Sequence, residues 1–216
     1  MKNFRTKSKK WAAYSVAALM SVAVCSCKDK DNDDEQEQST EYFYHGDHSY
    51  QIVKTAKTWS DAVADAVAKG GYLTEIESQE EQDAIWQAVQ KSGISPTYRT
   101  ATDGGGIGYL WIGATDRSVE GIWLWNEAGK TIWMGDGNGS APEGSYYNWG
   151  GKASGHTNEP DNYTDQQSSP KGQNAAAIGL AAWPNGASLP LGTAGEWNDI
   201  AESNQMYYVV EFNEKK

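Results

Sequence analysis

Glu159-Pro160-Asp161, read together with Trp197-Asn198-Asp199 further along, is the stretch on which the reading of this chain turns. Glu159, Asp161, Asn198 and Asp199 offer carboxylate and amide oxygens from two separate segments. Hard cations such as Ca²⁺ collect about six to eight oxygen ligands of this kind. Pro160 stiffens the backbone between two of them, at the one kind of bond where a cis peptide is cheap. Acidic loops with a proline are common, so the spacing carries little alone. The order of the two motifs, and the elements in front of them, carry the rest.

Those elements run from helix to strand. His48 to Val53 alternates and is rich in β-formers, which predicts a first strand. Thr58 with Asp61 three residues on is a capping pattern, and Trp59, Val63 and Val67 with Ala62 and Ala66 give an apolar helical stripe ended by Gly70-Gly71. Tyr72 to Ile76 is a short extended link. Ser78 with Glu81 opens a second helix whose face carries Ile85, Trp86 and Val89, closed by Gly93 and Pro96. Asp103-Gly104-Gly105-Gly106 lacks the Lys-Ser/Thr and helix of a phosphate loop, so it reads as a turn. Strands are expected over 109–113, 121–125, 175–180 and 206–212. Residues 126–174 and 181–195 read as loops, the first long enough to be functional. Two early helices, later strands and a long loop region make an α+β chain.

This order resembles the C-type lectin-like domain from about residue 42 to 216. Trp59-Ser60-Asp61-Ala62, Gly70-Gly71-Tyr72-Leu73, Trp111-Ile112-Gly113-Ala114, Gly121-Ile122-Trp123-Leu124-Trp125 and Asn148-Trp149 carry the resemblance beside the two acidic motifs. Trp111, Trp123 and Trp125 are expected to pack the core. The family's cysteines are missing: Ala66, Ala175, Glu202 and Val210 stand where they pair. The resemblance implies a main calcium and sugar site at Glu159, Asp161, Asn198 and Asp199. Gln173 stands where the family has a glutamate, and Asp165 on the inserted loop 163–171 is a substitute. It also implies an auxiliary calcium site at Asp116, Glu120, Asn162 and Asn174. In the family, Glu-Pro-Asn goes with mannose-type and Gln-Pro-Asp with galactose-type sugars. Glu-Pro-Asp is neither, and two acids there remove a donor and add charge.

Ahead of this domain, Lys2, Arg5, Lys7, Lys9 and Lys10 form a basic head before a short apolar run from Trp11 to Val24, as in an export signal. The run ends at Cys25-Ser26-Cys27, which holds the only two cysteines of the chain. It resembles a bacterial lipoprotein signal over residues 1–26, with Ser26 favouring Cys27 over Cys25 as the lipidated residue. A soluble secreted chain with a Cys25–Cys27 disulfide is the other reading, against which the short loop is strained. Residues 27–41 are acidic with no apolar run and read as a solvated tether. An acidic run there also resembles the outer-leaflet signal of Bacteroidetes lipoproteins, which implies an outer-membrane or cell-surface location. The chain carries a net charge of −11, and the part beyond the basic head is more acidic still. That disfavours nucleic acid and suits cation binding.

Three function classes remain. The first is a surface-anchored, calcium-dependent module for a carbohydrate or glycoprotein, with Trp149, Tyr163 and Trp183 as candidate aromatic platforms. The second is a protein-binding adhesin that uses the long loops without sugar. The third is an enzyme, for which Glu143, Glu159, Asp161 and Glu196 offer a glycosidase pair and His45, His48 and His156 a metal set. No nucleophile and base are paired in the sequence, and the expectation is no enzyme and no nucleic-acid partner.

Overall fold

The computed structural model describes residues 42–152 and 155–216. The export signal, Cys27 and the tether therefore lie outside the described residues. No helix among the described residues is long and apolar enough to cross a membrane.

Helix α1 spans Trp59–Ala68, and its start is set by the Thr58 hydroxyl, which accepts from Asp61 N. Trp59, Ala62 and Ala66 are buried, while Val67 is 59% exposed. The expected stripe thus turns about the Trp59–Ala62–Ala66 line, and Val67 is a surface residue. Gly71 ends this segment because the chain passes against the last strand: a Cβ there would lie 2.3 Å from Glu211 O. Helix α2 spans Gln79–Lys91 and is capped by Ser78, whose Oγ accepts from Glu81 N. Glu81 reaches back to accept from Glu77 N. Ile85 and Val89 are fully buried.

The strands are β1 (Tyr42–His45), β2 (His48–Lys57), β3 (Tyr72–Leu73), β4 (Tyr109–Thr115), β5 (Ile122–Trp125), β6 (Thr131–Met134), β7 (Ala175–Gly179), β8 (Trp197–Ile200) and β9 (Met206–Phe212). The main path runs β1-β2-β9-β4-β5-β6, with β3 on β9, β7 on β4 and β8 on β7. β9 and β4 are parallel; every other pair is antiparallel. The α+β expectation holds. Three strands go beyond it. β6 lies inside the expected loop 126–174, where Trp133 pairs with Trp123. β8 carries the second acidic motif. β1 makes a hairpin of the segment around Gly46, so His45 and His48 are cross-strand neighbours. His48 turns to Glu211 rather than to a metal set.

Seven tryptophans are fully buried: Trp59, Trp111, Trp123, Trp125, Trp149, Trp183 and Trp197. Their indole N–H groups find partners in most cases, such as Trp59 on Ile112 O and Trp197 on Gln82 Oε1. Trp123, Trp149 and Trp197 meet edge to face, an arrangement aromatic quadrupoles favour. Trp149 is therefore core and not a platform. Ala66, Ala175 and Val210, three of the four positions to which the resemblance assigns cysteines, are buried in one apolar cluster. The two ends of the described chain meet: Tyr44 Oη donates to Lys216 O, and Ser49 Oγ donates to Glu214 O.

Candidate functional site

Strand β8 presents Asn198 and Asp199 opposite Ala177 and Ala176 of β7. Trp197 fixes its start, since Trp197 N donates to Asn148 O and Gly150 N to Trp197 O. Asn158 N in turn donates to Gly150 O. The Glu159-Pro160 bond, which is cis, and Asp161 follow directly. The Asp199 carboxylate accepts from Asp161 N at 3.1 Å and Asn162 N at 2.8 Å. The two motifs are thus stitched by backbone amides, and ligand oxygens of Glu159, Asp161 and Asp199 lie within 4.8 Å of one another.

Two of these acids are inside the protein: Glu159 is 1% and Asp199 0% exposed. Glu159 Oε1 accepts from Trp183 Nε1 at 2.8 Å. Glu159 Oε2 is buried with no partner. Burial, and then the Asp161 charge, push the Glu159 carboxyl up to about 8 against the Trp183 hydrogen bond. Burial raises Asp161, and burial with the charges of Glu159 and Asp161 raises Asp199 well above the carboxylate range. Like charges held this close disfavour ionisation unless a cation joins them. An all-oxygen set with a buried orphan oxygen fits a hard divalent ion.

A cleft of about 260 Å³ opens on this cluster, lined by Asp103, Gly104, Gly105, Glu159, Asp161 and Asn198 on one side. Trp183, Pro184, Leu191 and Tyr163 supply its apolar side. The Trp183 ring is caged by glycines: a Cβ on Gly192 would lie 2.0 Å from Cζ2, and Cβ atoms on Gly150 and Gly179 2.6 Å from the ring. Only glycine at these positions lets the indole reach Glu159. Trp183 is therefore a buried brace, and Tyr163, 48% exposed, is the aromatic on the rim.

Other expected residues are placed differently. Gln173 is buried and does not line the cleft. Its Oε1 accepts from Tyr163 N at 2.7 Å and its Nε2 donates to Asp103 O at 3.1 Å. It is a strut between loops, because a neutral amide can satisfy a donor and an acceptor at once. Asp165 is not in the cluster; it caps its own turn by accepting from Gln167 N and the Ser168 hydroxyl. Asn162 Oδ1 accepts from Gln173 N at 2.9 Å, so in the auxiliary set it already serves the loop. Asp116 Oδ2 accepts from Gly121 N, the turn role, while Asp116 Oδ1 and Asn174 Oδ1 are both buried without partners. Burial, with the Glu120 charge adding to it, pushes Asp116 up to about 7.

Glu196 accepts from Thr193 N and Gly151 N and Glu143 is exposed; neither lines the cleft, so of the four acids considered for a glycosidase pair only Glu159 and Asp161 stand together. Asp103 is the residue that the sequence reading passed over as part of a turn. Its carboxylate accepts from Ala201 N at 2.7 Å and Asn204 Nδ2 at 2.9 Å, which pins the glycine run against β8 and the cleft. An acid opening three glycines was the signal: Gly104 has room for no Cβ beside Ile200 and Tyr109.

No family model matches the chain. The galactose-specific lectin nattectin of Thalassophryne nattereri is 28% identical over 92 residues, covering 43% of this chain and 51% of that protein. A type-2 ice-structuring protein of Brachyopsis segaliensis is 34% identical over 83 residues, covering 38% of this chain and 39% of that protein. The chain thus spans about half of the first relative and less of the second. The solved carbohydrate-recognition domain of the mouse scavenger receptor C-type lectin superposes with a TM-score of 0.51 at 21% identity, covering 81% of this chain and 95% of that one. The chain has the C-type lectin-like fold. Within it, the acidic motifs stand together on β8 and the loop before Asn162.

Proposed function

We propose that this chain is a calcium-dependent carbohydrate-binding module of the C-type lectin-like fold. The observation that carries the reading is the buried, unpartnered Glu159 Oε2 facing a cleft it shares with Asp161 and Asn198. Glu159, Asp161, Asn198 and Asp199 would hold the ion, and the bound ion supplies open positions for ligand hydroxyl oxygens. Asp161, exposed at the mouth, accepts from those hydroxyls, and the Leu191, Pro184 and Tyr163 wall covers the apolar face of a sugar ring. Asp116, Glu120, Asn162 and Asn174 are proposed as a second calcium site. Lipidation at Cys27 and display on the outer membrane belong to the same proposal and rest on sequence alone. The reading is of a binding protein without catalysis. Isothermal titration with calcium, followed by a glycan array with and without chelator, tests it. Calcium-dependent glycan binding supports it, and an array blank in both conditions removes it.

The adhesin reading keeps one specific observation: Leu189 is 87% exposed and Leu191 39%, on a loop beside the same cleft. Exposed leucines next to an aromatic suit a protein interface. Binding that persists with chelator and excess monosaccharide would favour this second reading.

A further inference from the structure

The hydrogen-bonding sense of the cleft is lopsided. Three side-chain N–H donors near the acid cluster are turned to partners inside the protein. Trp183 Nε1 donates to Glu159, Asn198 Nδ2 donates to Tyr109 Oη at 3.0 Å, and Gln173 Nε2 donates to Asp103. The Tyr109 hydroxyl in turn donates a hydrogen bond to Gly104 O. Hydroxyls of Thr102 and Tyr163 also line the cleft, but its charged groups are all acceptors: Glu159 Oε2, buried without a partner, and the Asp161 carboxylate, one oxygen of which accepts from Tyr163 N. The charge is equally one-sided. Four acids stand at or behind the cleft, Glu159, Asp161, Asp199 and Asp103, and no Lys or Arg is among the described residues that line it. A divalent ion offsets two of those charges and leaves a negative remainder. A neutral sugar hydroxyl bound between an ion and a carboxylate can donate to the acid but brings no charge to offset that remainder.

We propose that the cleft selects a cationic sugar, one bearing a free primary ammonium beside its hydroxyls, over neutral, N-acetylated or acidic sugars. The ammonium brings three donors and a positive charge to a wall of acceptors. An acetamido group brings a single N–H donor, a carbonyl acceptor and no charge, and a uronate adds like charge. This inference rests on the carbohydrate reading and narrows its ligand class.

The test uses the full chain at saturating calcium, about 10 mM, with monosaccharides in gluco, galacto and manno configurations. Each is offered as the neutral, 2-amino, 2-acetamido and uronate form, and binding is read by calorimetry or tryptophan fluorescence. In the configuration that binds, the amino form is expected about tenfold tighter than the neutral one at low salt, and the uronate weakest. That preference should shrink as salt screens it, while neutral-sugar affinity stays level. Asp161→Asn removes one charge from an exposed position and adds a donor, so it should bring the amino-to-neutral ratio toward parity. Equal binding of amino and neutral forms overturns the charge inference and leaves the carbohydrate reading standing, as does an unchanged ratio in D161N. A uronate that binds best overturns it in the same way. Calcium binding with no sugar bound in any form removes both.

Discussion

Glu159 allows a sharp test because its burial and its role pull in opposite directions. Its carboxyl stands at about 8 without metal, against 4.5 for an ordinary glutamate, chiefly from burial. The unfolded chain releases this proton at the lower value and the folded chain at the higher one. Stability from this group is therefore full below about 4.5 and drains away as pH rises through 8. The loss is on the order of 5 kcal/mol, which for a domain of this size is a fall in melting temperature of about 10 °C or more. Asp199, raised further by burial and by the charges of Glu159 and Asp161, acts in the same direction. Calcium bound as proposed would remove the penalty by pairing with the ionised form. At about 10 mM and a dissociation constant near 10⁻⁴ M, mass action adds about 2.7 kcal/mol. Metal-free protein should thus melt lower at pH 9 than at pH 5, and the rise caused by calcium should grow over the same range. Glu159→Gln keeps the shape and removes the charge. It should melt higher than wild type at pH 9 without metal, and lose most of the calcium response. Scanning calorimetry at four or five pH values checks this. A calcium response that does not change with pH, or an E159Q protein that tracks wild type without metal, would refute the reasoning.

Gly192→Ala puts a methyl into the Trp183 ring. It should cost about 1–3 kcal/mol in stability and weaken calcium binding as the indole leaves Glu159, both read by calorimetry. Gln173→Ala should lower the melting temperature by removing the strut between Tyr163 N and Asp103, yet keep calcium affinity within about threefold; a loss beyond tenfold (about 1.4 kcal/mol) would restore it as a ligand. Asp116→Asn should raise the metal-free melting temperature at pH 8, since its carboxyl is pushed up to about 7 by burial, and remove any second calcium from the titration. A reducing agent should leave the melting temperature unchanged, because residues 42–216 contain no cysteine; a clear drop would mean that something other than packing holds the core.

The helices were legible because their signals are local. Thr58 with Asp61 and Ser78 with Glu81 each place a hydroxyl against a specific backbone N–H. The apolar spacing from Trp59 to Ala66 says which face turns in. The acid cluster was legible too, since each motif brings its own oxygens. What stayed hidden depends on contacts between distant segments. β6 is four residues among glycines, and it becomes a strand only because Trp133 has Trp123 to pair with. Gln173 and Glu are alike in length, so the sequence could not tell a ligand from a strut. The difference is made by Tyr163 N and Asp103, ten and seventy residues away. Asp103 hides for the same reason: a carboxylate before glycines is a turn until Ala201 and Asn204 arrive to claim it.

The meeting of Tyr44 with Lys216, and of Ser49 with Glu214, has a consequence for how such a domain can be carried. The described chain starts in β1 and ends in β9, with only β2 between them, so the fold needs only one doorway on its surface. A host protein could accept it within a single surface loop and close up beneath it, as a bulb sits in a socket. The same geometry permits circular permutation: a short linker from Lys216 back to Tyr42, with new ends opened at the exposed Glu143-Gly144 turn, leaves the β2–β9 pairing and the β7–β8 ladder uncut. Engineering this module into a longer chain is therefore a matter of choosing a loop, not of redesigning a core.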